Sequence, residues 1–392
     1  MSFDFATAGC ILFGPGGARA VAPAAKELGR RALVVTRRSA VSAAWLVDQL
    51  ETTGVSWLRF EVAGEPTLHV VCAGLEHARR ESCDLVISLG GGSVLDTGKA
   101  IAALLTNPGE PRDYLEVVGL GRPLQHRAAP FIAIPTTAGT GSEVTRNAVL
   151  GSPEHRVKAS MRSPLMLPLL AIVDPELTLD LPPATTASTG LDALTQLIEA
   201  YVSARANVLT DGFCLEGLQC VRRSLRNACH HGDDIEARTG MALASLLSGL
   251  ALANSGLGVV HGFAAPIGGM FAAPHGAVCA ALLPTAMAVN IRALRQRALG
   301  SESLGRYQTV ARVLTGKSDA LPEEGTQWVS QLCHELKIAP LRSYGIAEGE
   351  VPTLVEAASR ASSTRGNPIV LKAHELREIL VRSLVDDGPS LS

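Results

Sequence analysis

Hydrophobic and polar positions follow two different patterns along the chain, and the two patterns meet near residue 182. Before that point, short runs rich in Val, Ile and Leu alternate with stretches whose apolar residues recur at helical spacing. The runs predict strands over residues 31–36, 55–62, 84–89, 131–135 and 170–174, and residues 68–80 predict one of the intervening helices. This alternation is typical of a parallel sheet that is covered by helices on both faces.

After Pro183 the pattern changes to long helical periods, and no run has the composition of a strand. We therefore predict an α/β domain over residues 1–182 and an all-helical domain over residues 183–392. Residues 239–291 include no Asp, Glu, Lys or Arg. Such a run indicates burial, because charged side chains are rarely buried unless they are paired. Asn254, Pro266 and many glycines interrupt this run, so it predicts a core segment rather than a membrane span.

Composition and charge exclude several classes of partner. The chain has 392 residues, a formal net charge of −2 and a pI near 6.6. It therefore lacks the basic footprint of a nucleic-acid-binding protein. Its eight cysteines form no C-x-x-C pair, and the opening Met-Ser-Phe-Asp does not have the pattern of a targeting sequence. We expect reduced thiols and a cytoplasmic protein without a membrane or nucleic-acid partner.

A helix is predicted downstream of the domain boundary, with Ser188 or Thr189 as its N-cap. Asp192 and Gln196 are four residues apart within it and should lie on one face. A carboxylate early in a helix is also favoured by the helix dipole alone, so Asp192 has a structural interpretation beside a functional one.

Two histidines of the charge-free run, His261 and His275, each adjoin a glycine. A buried imidazole must be hydrogen-bonded or must bind something, because an unpaired buried polar group costs roughly 1–3 kcal/mol. Two satisfied core histidines are one interpretation. Together with Asp192 and Gln196, the two imidazoles would instead form a site suited to a divalent metal such as Fe(II) or Zn(II).

A glycine-rich turn over residues 90–99 follows a predicted strand and opens a helix. In such turns, backbone N–H groups can approach a phosphate, and Lys99 would add a cation. A second polar loop, over residues 135–145, follows another predicted strand. The carboxyl ends of parallel strands share one edge of a sheet, so both loops should border one cleft. The alternative is that the two loops are structural turns.

These motifs together resemble the iron-containing (group III) alcohol dehydrogenases, from the first strands to about Asn290. The resembling pieces are residues 90–99, 135–145, 173–178 and 190–196, and His261 followed by residues 274–276. The resemblance implies a dehydroquinate synthase-like fold, in which a dinucleotide-binding α/β domain precedes an all-helical domain and the active site lies between them.

Residue roles follow from the same resemblance. It implies metal ligands at Asp192, Gln196, His261 and His275, of which Asp192, His261 and His275 would also be the catalytic residues. The implied cofactor positions are Gly91, Gly92 and Ser93 at the pyrophosphate with Asp96 nearby, Thr136, Thr137 and Thr140 on the adenine and nicotinamide side, Lys158 at the ribose, and Pro66 and Thr67 beside the adenosine.

Three departures from the family pattern bear on the chemistry. Gln196 stands where the family usually has a histidine, which affects how tightly a metal is held and which metal is chosen. Ala265 stands where many relatives have a second histidine near the nicotinamide, so water or a cofactor hydroxyl would have to carry the proton. Arg37 and Arg38 follow Thr36 where NAD-preferring relatives often have Asp, and they would accommodate the 2′-phosphate of NADP. The alternative is that both arginines point into solvent.

The predicted function is a metal-dependent, NAD(P)-linked alcohol dehydrogenase or aldehyde reductase, with NAD or NADP as cofactor and Fe(II) favoured over Zn(II). Its partners would be a small-molecule alcohol or aldehyde and further copies of the chain, in a homodimer or larger homo-oligomer. One alternative is a maleylacetate reductase-like enzyme for oxo acids, with Arg146 or Arg162 binding the substrate carboxylate. Another is a non-catalytic nucleotide-binding protein whose metal site has decayed.

Overall fold

A computed structural model describes residues 2–37 and 43–385 of the chain. They form two compact units. Within these residues, one unit lies between Phe5 and Leu179, and the other comprises residues 2–4 and the part of the chain from Asp180 onward. The boundary predicted between residues 182 and 183 lies close to this division.

The first unit contains a six-stranded parallel sheet and a separate antiparallel pair of strands. The sheet strands are β1 Cys10–Phe13, β2 Arg31–Arg37, β3 Ser56–Val62, β4 Leu85–Gly90, β5 Phe131–Pro135 and β8 Leu170–Val173, and the antiparallel pair is β6 Asn147–Ser152 and β7 Val157–Arg162. The strand order in the sheet is β1-β8-β5-β4-β2-β3. The helices are α1 Val21–Leu28, α2 Ala44–Thr53, α3 Leu68–Arg80, α4 Gly92–Thr106 and α5 Pro111–Tyr114. The predicted parallel sheet is therefore confirmed.

Strand β2 shows why the sheet is covered on both faces. Successive side chains of a strand point to opposite faces. Leu33 and Val35 belong to one buried apolar cluster, and Ala32 and Val34 belong to the other. All four side chains are fully buried, as a run of continuous apolar residues predicts for a central parallel strand.

In the described part of the second unit, the regular elements are helical, as predicted. The helices are α6 Pro183–Val202, α7 Val208–His230, α8 Ile235–Ser255, α9 Val259–Met270, α10 His275–Arg297, α11 Glu302–Thr315, α12 Pro322–Glu335, α13 Val351–Arg360 and α14 Ala373–Ser383. Helix α10 is long and apolar enough to cross a membrane, yet 78% of its apolar window is buried within the protein, as in the core helix of a globular domain.

The predicted start of helix α6 is wrong. The helix begins at Pro183 rather than after Ser188 or Thr189, because proline is favoured at the first helical position, where its missing N–H is not needed. Ser188 and Thr189 instead lie inside the helix, and their hydroxyls donate to the carbonyl of Thr185 at 3.1 and 2.8 Å. Asp192 is consequently well inside the helix, so the helix dipole does not account for its presence.

Candidate functional sites

The structure brings Asp192, His261 and His275 together from three helices of the second unit. Asp192 lies in α6, His261 lies in the first turn of α9, and His275 is the first residue of α10. The Oδ1 atom of Asp192 is 3.4 Å from Nε2 of His261 and 3.7 Å from Nε2 of His275. The two imidazole centroids are 5.4 Å apart. Ligand-type atoms that are distant in sequence therefore converge on one point.

The glycines beside the two histidines allow this convergence. A Cβ atom on Gly276 would lie 2.3 Å from the carbonyl oxygen of Ser188, so only glycine lets the start of α10 approach the backbone of α6 this closely. A Cβ atom on Gly262 would lie 2.0 Å from Oγ1 of Thr364. Both glycines are thus required for close packing around the cluster rather than for an unusual backbone angle.

Asp192 has a buried oxygen without a hydrogen bond. Its side chain is 2% exposed, and its Oδ1 atom makes no hydrogen bond within residues 2–37 and 43–385 despite the nearby imidazole nitrogens. Burial by itself would raise the pKa of this carboxyl, but the charge of His275 and the hydrogen-bonding capacity of His261 hold it below its ordinary value. A buried carboxylate oxygen that faces ring nitrogens without a bond fits a bound cation.

Glu199 orients His261 and was missed by the sequence reasoning. One carboxylate oxygen accepts a bond from Nδ1 of His261 at 2.7 Å, and the other accepts the backbone N–H of Val260 at 2.7 Å. Since a carboxylate only accepts, Nδ1 carries a proton, and Nε2 faces Asp192, where it can bind a cation once this nitrogen is deprotonated. Glu199 lies seven residues after Asp192 on α6, a spacing that keeps both on one face and was the available signal.

Cys279 also lies in the cluster and was also missed. The donor atoms of Asp192, His261, His275 and Cys279 all lie within 4.8 Å of one another. Burial would lower the pKa of His261, but its contacts with Cys279, Asp192 and Glu199 raise that pKa well above the ordinary value. The signal in the sequence was the position of Cys279, one helical turn after His275.

Gln196 lies one turn after Asp192, as predicted, but its amide oxygen already has a partner. Oε1 accepts a hydrogen bond of 2.6 Å from the Ser248 hydroxyl of α8. An amide oxygen has two lone pairs, so one remains for a second partner.

In the first unit, the two predicted phosphate-side loops lie against each other. They follow β4 and β5, which are adjacent parallel strands. A Cβ atom on Gly91 would lie 3.2 Å from the Thr137 side chain, and one on Gly92 would lie 2.8 Å from the Thr140 side chain. The glycines therefore leave room for the second loop beside the start of α4. The first N–H groups of that helix, which include that of Ser93, have no intrahelical carbonyl to bond.

The role predicted for Lys99 as a phosphate cation is wrong. Its ammonium is fully buried and donates to the Ser142 carbonyl at 2.7 Å, the Asn147 carbonyl at 2.8 Å and the Thr145 hydroxyl at 2.9 Å. Burial lowers the pKa of Lys99. Asp96 similarly accepts from the Ser142 hydroxyl at 2.5 Å and from a backbone N–H at 2.9 Å. Both charged groups hold the second loop in place.

The remaining predicted cofactor residues lie at the edges of the same unit. Thr136 donates its backbone N–H to the Gly90 carbonyl at 3.1 Å, and Thr67 caps α3 by accepting the N–H of Val70. The carbonyl of Pro66 accepts the Gly151 N–H at 2.7 Å.

Three of the predicted cationic groups lie in the first unit as well. Lys158 is paired with Glu65 at 2.8 Å, and Arg37 is exposed at the end of β2. Arg38 lies outside the described residues. Arg162, predicted for the oxo-acid alternative, contacts Glu116 at 3.5 Å with both side chains 43% exposed, an ordinary surface pair.

A parallel sheet with a glycine turn before a helix, and a helical unit with a buried carboxylate–histidine cluster, define a nucleotide-linked metalloenzyme. Comparison with known proteins identifies the family. The profile of "Iron-containing alcohol dehydrogenase" matches residues 8–175, and that of "Fe-containing alcohol dehydrogenase family, C-terminal" matches residues 186–384. The chain therefore belongs to the iron-containing alcohol dehydrogenase family.

Individual relatives agree with this assignment. The chain is 38% identical over 319 residues to alcohol dehydrogenase 4 of Schizosaccharomyces pombe, covering 81% of this chain and 73% of the relative. It is 34% identical over 390 residues to 1,3-propanediol dehydrogenase of Citrobacter freundii, covering 96% and 97%. The solved structure of sulfoacetaldehyde reductase from Bifidobacterium kashiwanohense in complex with NAD+ superposes with a TM-score of 0.85 at 28% identity, covering 98% and 99%.

The predicted activity class is thereby confirmed. The protein is a metal-dependent, NAD(P)-linked oxidoreductase that interconverts alcohols and aldehydes.

Proposed function

We propose that Asp192, His261 and His275 hold the divalent cation of this oxidoreductase, with Gln196 as a further donor through its free lone pair. The main support for this proposal is the buried Oδ1 atom of Asp192, which has no hydrogen bond in the described residues although two imidazole nitrogens lie 3.4 and 3.7 Å away. When bound, the cation supplies a Lewis acid for the alcohol or carbonyl oxygen, and the nicotinamide ring accepts or donates the hydride.

The side chains around the cluster prepare it for this chemistry. Glu199 keeps the proton of His261 on Nδ1, so that Nε2 is free to bind a cation. Val259, Val260 and Phe263 are 0–1% exposed and exclude water on one side of His261. The His275 side chain is 37% exposed, which supports access for a small substrate there. Ala265 has no ionisable group, so the alcohol proton leaves through water or a cofactor hydroxyl.

For the dinucleotide, we propose the turn of Gly91, Gly92 and Ser93 as the pyrophosphate site. Support comes from the helix N-terminus that follows this turn and from the room the glycines leave beside the second loop. The other proposed contacts are Asp96, Thr136, Thr137 and Thr140 along the two loops, Lys158 at the ribose, and Pro66 and Thr67 at the adenosine.

We propose that Arg37 contacts a 2′-phosphate, so that the enzyme accepts NADP as well as NAD. Arg37 is exposed at the end of β2. Replacement of Arg37 by Ala should then weaken the binding of NADPH more than the binding of NADH. Equal affinities of both cofactors before and after the change would contradict this contact.

We further propose a small aliphatic alcohol or aldehyde as substrate and a cytoplasmic homodimer or larger homo-oligomer as the working form. The eight cysteines are all free thiols, which supports a reducing compartment. Light scattering on the purified protein measures the oligomeric state.

The cation site is tested by metal analysis and turnover of purified variants. Asp192→Ala, His261→Ala and His275→Ala should each lose bound metal and the NAD(P)H-dependent reduction of small aldehydes. His230→Ala removes an exposed imidazole of the same unit and should retain both. Full metal content in the three site variants would refute the assignment.

A further inference from the structure

Cys279 completes a four-atom donor set. Its side chain is fully buried in α10, one turn after His275, and its Sγ atom lies 3.8 Å from Nε2 of both His261 and His275. Together with the Asp192 oxygen, these are the atoms that lie mutually within 4.8 Å. The set combines one carboxylate, two imidazoles and one thiol.

The spacing of these atoms matches a tetrahedral metal site. Metal–ligand lengths of about 2.0–2.3 Å at tetrahedral angles separate donor atoms by roughly 3.3–3.6 Å. The separations are 3.4 and 3.7 Å from Asp192 to the two imidazoles and 3.8 Å from Cys279 to each imidazole, and the remaining two pairs lie within 4.8 Å. Four of the six separations are therefore within a few tenths of an ångström of the tetrahedral range.

Other buried thiols of the same unit do not have these surroundings. Cys214 is equally buried in α7, yet it lies outside this donor set. Cys333 contacts the carbonyl of Ala280 at 3.5 Å. A buried cysteine that acts only as a small apolar residue would resemble these two. The Sγ atom of Cys279 instead lies within 4.8 Å of a carboxylate oxygen of Asp192, whose Oδ1 atom has no hydrogen bond in the described residues.

We infer that Cys279 is a thiolate ligand of the metal in this enzyme, an inference that rests on the cation site proposed above. On coordination, the thiol proton passes to solvent and sulfur donates an electron pair to the ion, without any redox change. The sulfur is a stronger metal ligand than the amide oxygen of Gln196, because that oxygen already accepts a hydrogen bond from Ser248. A soft thiolate shifts the preference of the site towards Zn(II).

The test uses Co(II) as a spectroscopic probe in metal-free full-length protein. Wild type should bind one Co(II) per chain and show a sulfur-to-cobalt charge-transfer band in the near ultraviolet. Cys279→Ser should lose that band and bind Zn(II) at least about tenfold more weakly. The matched control Cys214→Ser should keep both properties.

A second measurement needs no variant and covers the case in which Cys279→Ser does not fold. X-ray absorption of the zinc-loaded wild type should show one sulfur neighbour at about 2.3 Å. Bound metal with no sulfur neighbour, or a charge-transfer band that persists in Cys279→Ser, overturns the thiolate while leaving the cation site intact. Failure of wild type to bind either ion overturns the cation site, and the thiolate with it.

Discussion

Replacing Glu199 with Gln should weaken cation binding although it removes none of the proposed ligands. The carboxylate makes two bonds of 2.7 Å, one from the His261 ring and one from the Val260 backbone N–H. An amide has one acceptor oxygen, so its NH2 group must face one of these two donors. Changes in groups that orient a ligand typically cost 10–100-fold in metal affinity, or about 1.4–2.7 kcal/mol.

Calorimetric titration of metal-free protein with Zn(II) measures this loss. A suitable control is Glu375→Gln, which alters a carboxylate that is 4% exposed and pairs with Arg297 at 2.8 Å in the same unit. The control should lose thermal stability but retain the zinc affinity of the wild type. If Glu199→Gln binds zinc as tightly as the wild type, the reasoning that the carboxylate orients His261 is refuted.

Three further outcomes are expected. Burial raises the pKa of Glu143 to about 7 from 4.5, so the folded protein retains this proton, and stability is lost as pH rises from about 4.5 to about 7. The free energy of unfolding of Glu143→Gln, relative to that of the wild type, should therefore increase by up to about 3 kcal/mol between acidic and alkaline pH. Urea unfolding at both pH values measures this difference, and a difference that does not depend on pH would contradict the prediction. Lys99→Met removes the fully buried ammonium that donates to two carbonyls, and it should lower the free energy of unfolding by about 3 kcal/mol or more. The same substitution should also weaken dinucleotide binding, measured by NADH fluorescence. Unchanged stability and NADH affinity would contradict the role of Lys99 in holding the second loop in place. Chelation of the metal should lower the thermal midpoint, because a ligand at 100 times its Kd stabilises by about 2.7 kcal/mol. Calorimetry with and without chelator measures this shift. The thermal midpoint of Asp192→Ala should not change on chelation, and a shift equal to that of the wild type would contradict the prediction.

Periodicity along the chain was sufficient to predict most of the sheet and the helices. Helix α3 spans Leu68–Arg80, the range that its apolar spacing predicts. Strand β1 was missed, because its four residues Cys10–Phe13 are partly exposed at the sheet edge and carry no alternating pattern. The antiparallel pair β6 and β7 was also missed, although the β6 burial pattern does alternate.

Roles that depend on tertiary partners could not be read from spacing. Lys99 lies where a phosphate-binding cation would be expected, but the two carbonyls that accept its hydrogen bonds belong to Ser142 in the second loop and Asn147 in β6, more than forty residues later. The proximity of Asp192, His261 and His275 was predictable because their residue types are distinctive. Glu199 and Cys279 were not predicted, since a single glutamate or cysteine in a helix has many ordinary explanations and only the fold brings each to the histidines.

The charge-free stretch over residues 239–291 includes both histidines of the proposed cation site as well as core residues. A Lys or Arg facing Asp192 would neutralise its carboxylate and occupy the position where a cation could bind. Among the ion pairs of the described residues, Asp192 contacts only the two imidazoles, whose lone pairs can bind a cation once they are deprotonated. Excluding permanent cations from the surrounding helices therefore keeps the carboxylate available. One feature of the sequence thus serves both packing and chemistry, because burial strengthens the attraction between this carboxylate and a divalent ion.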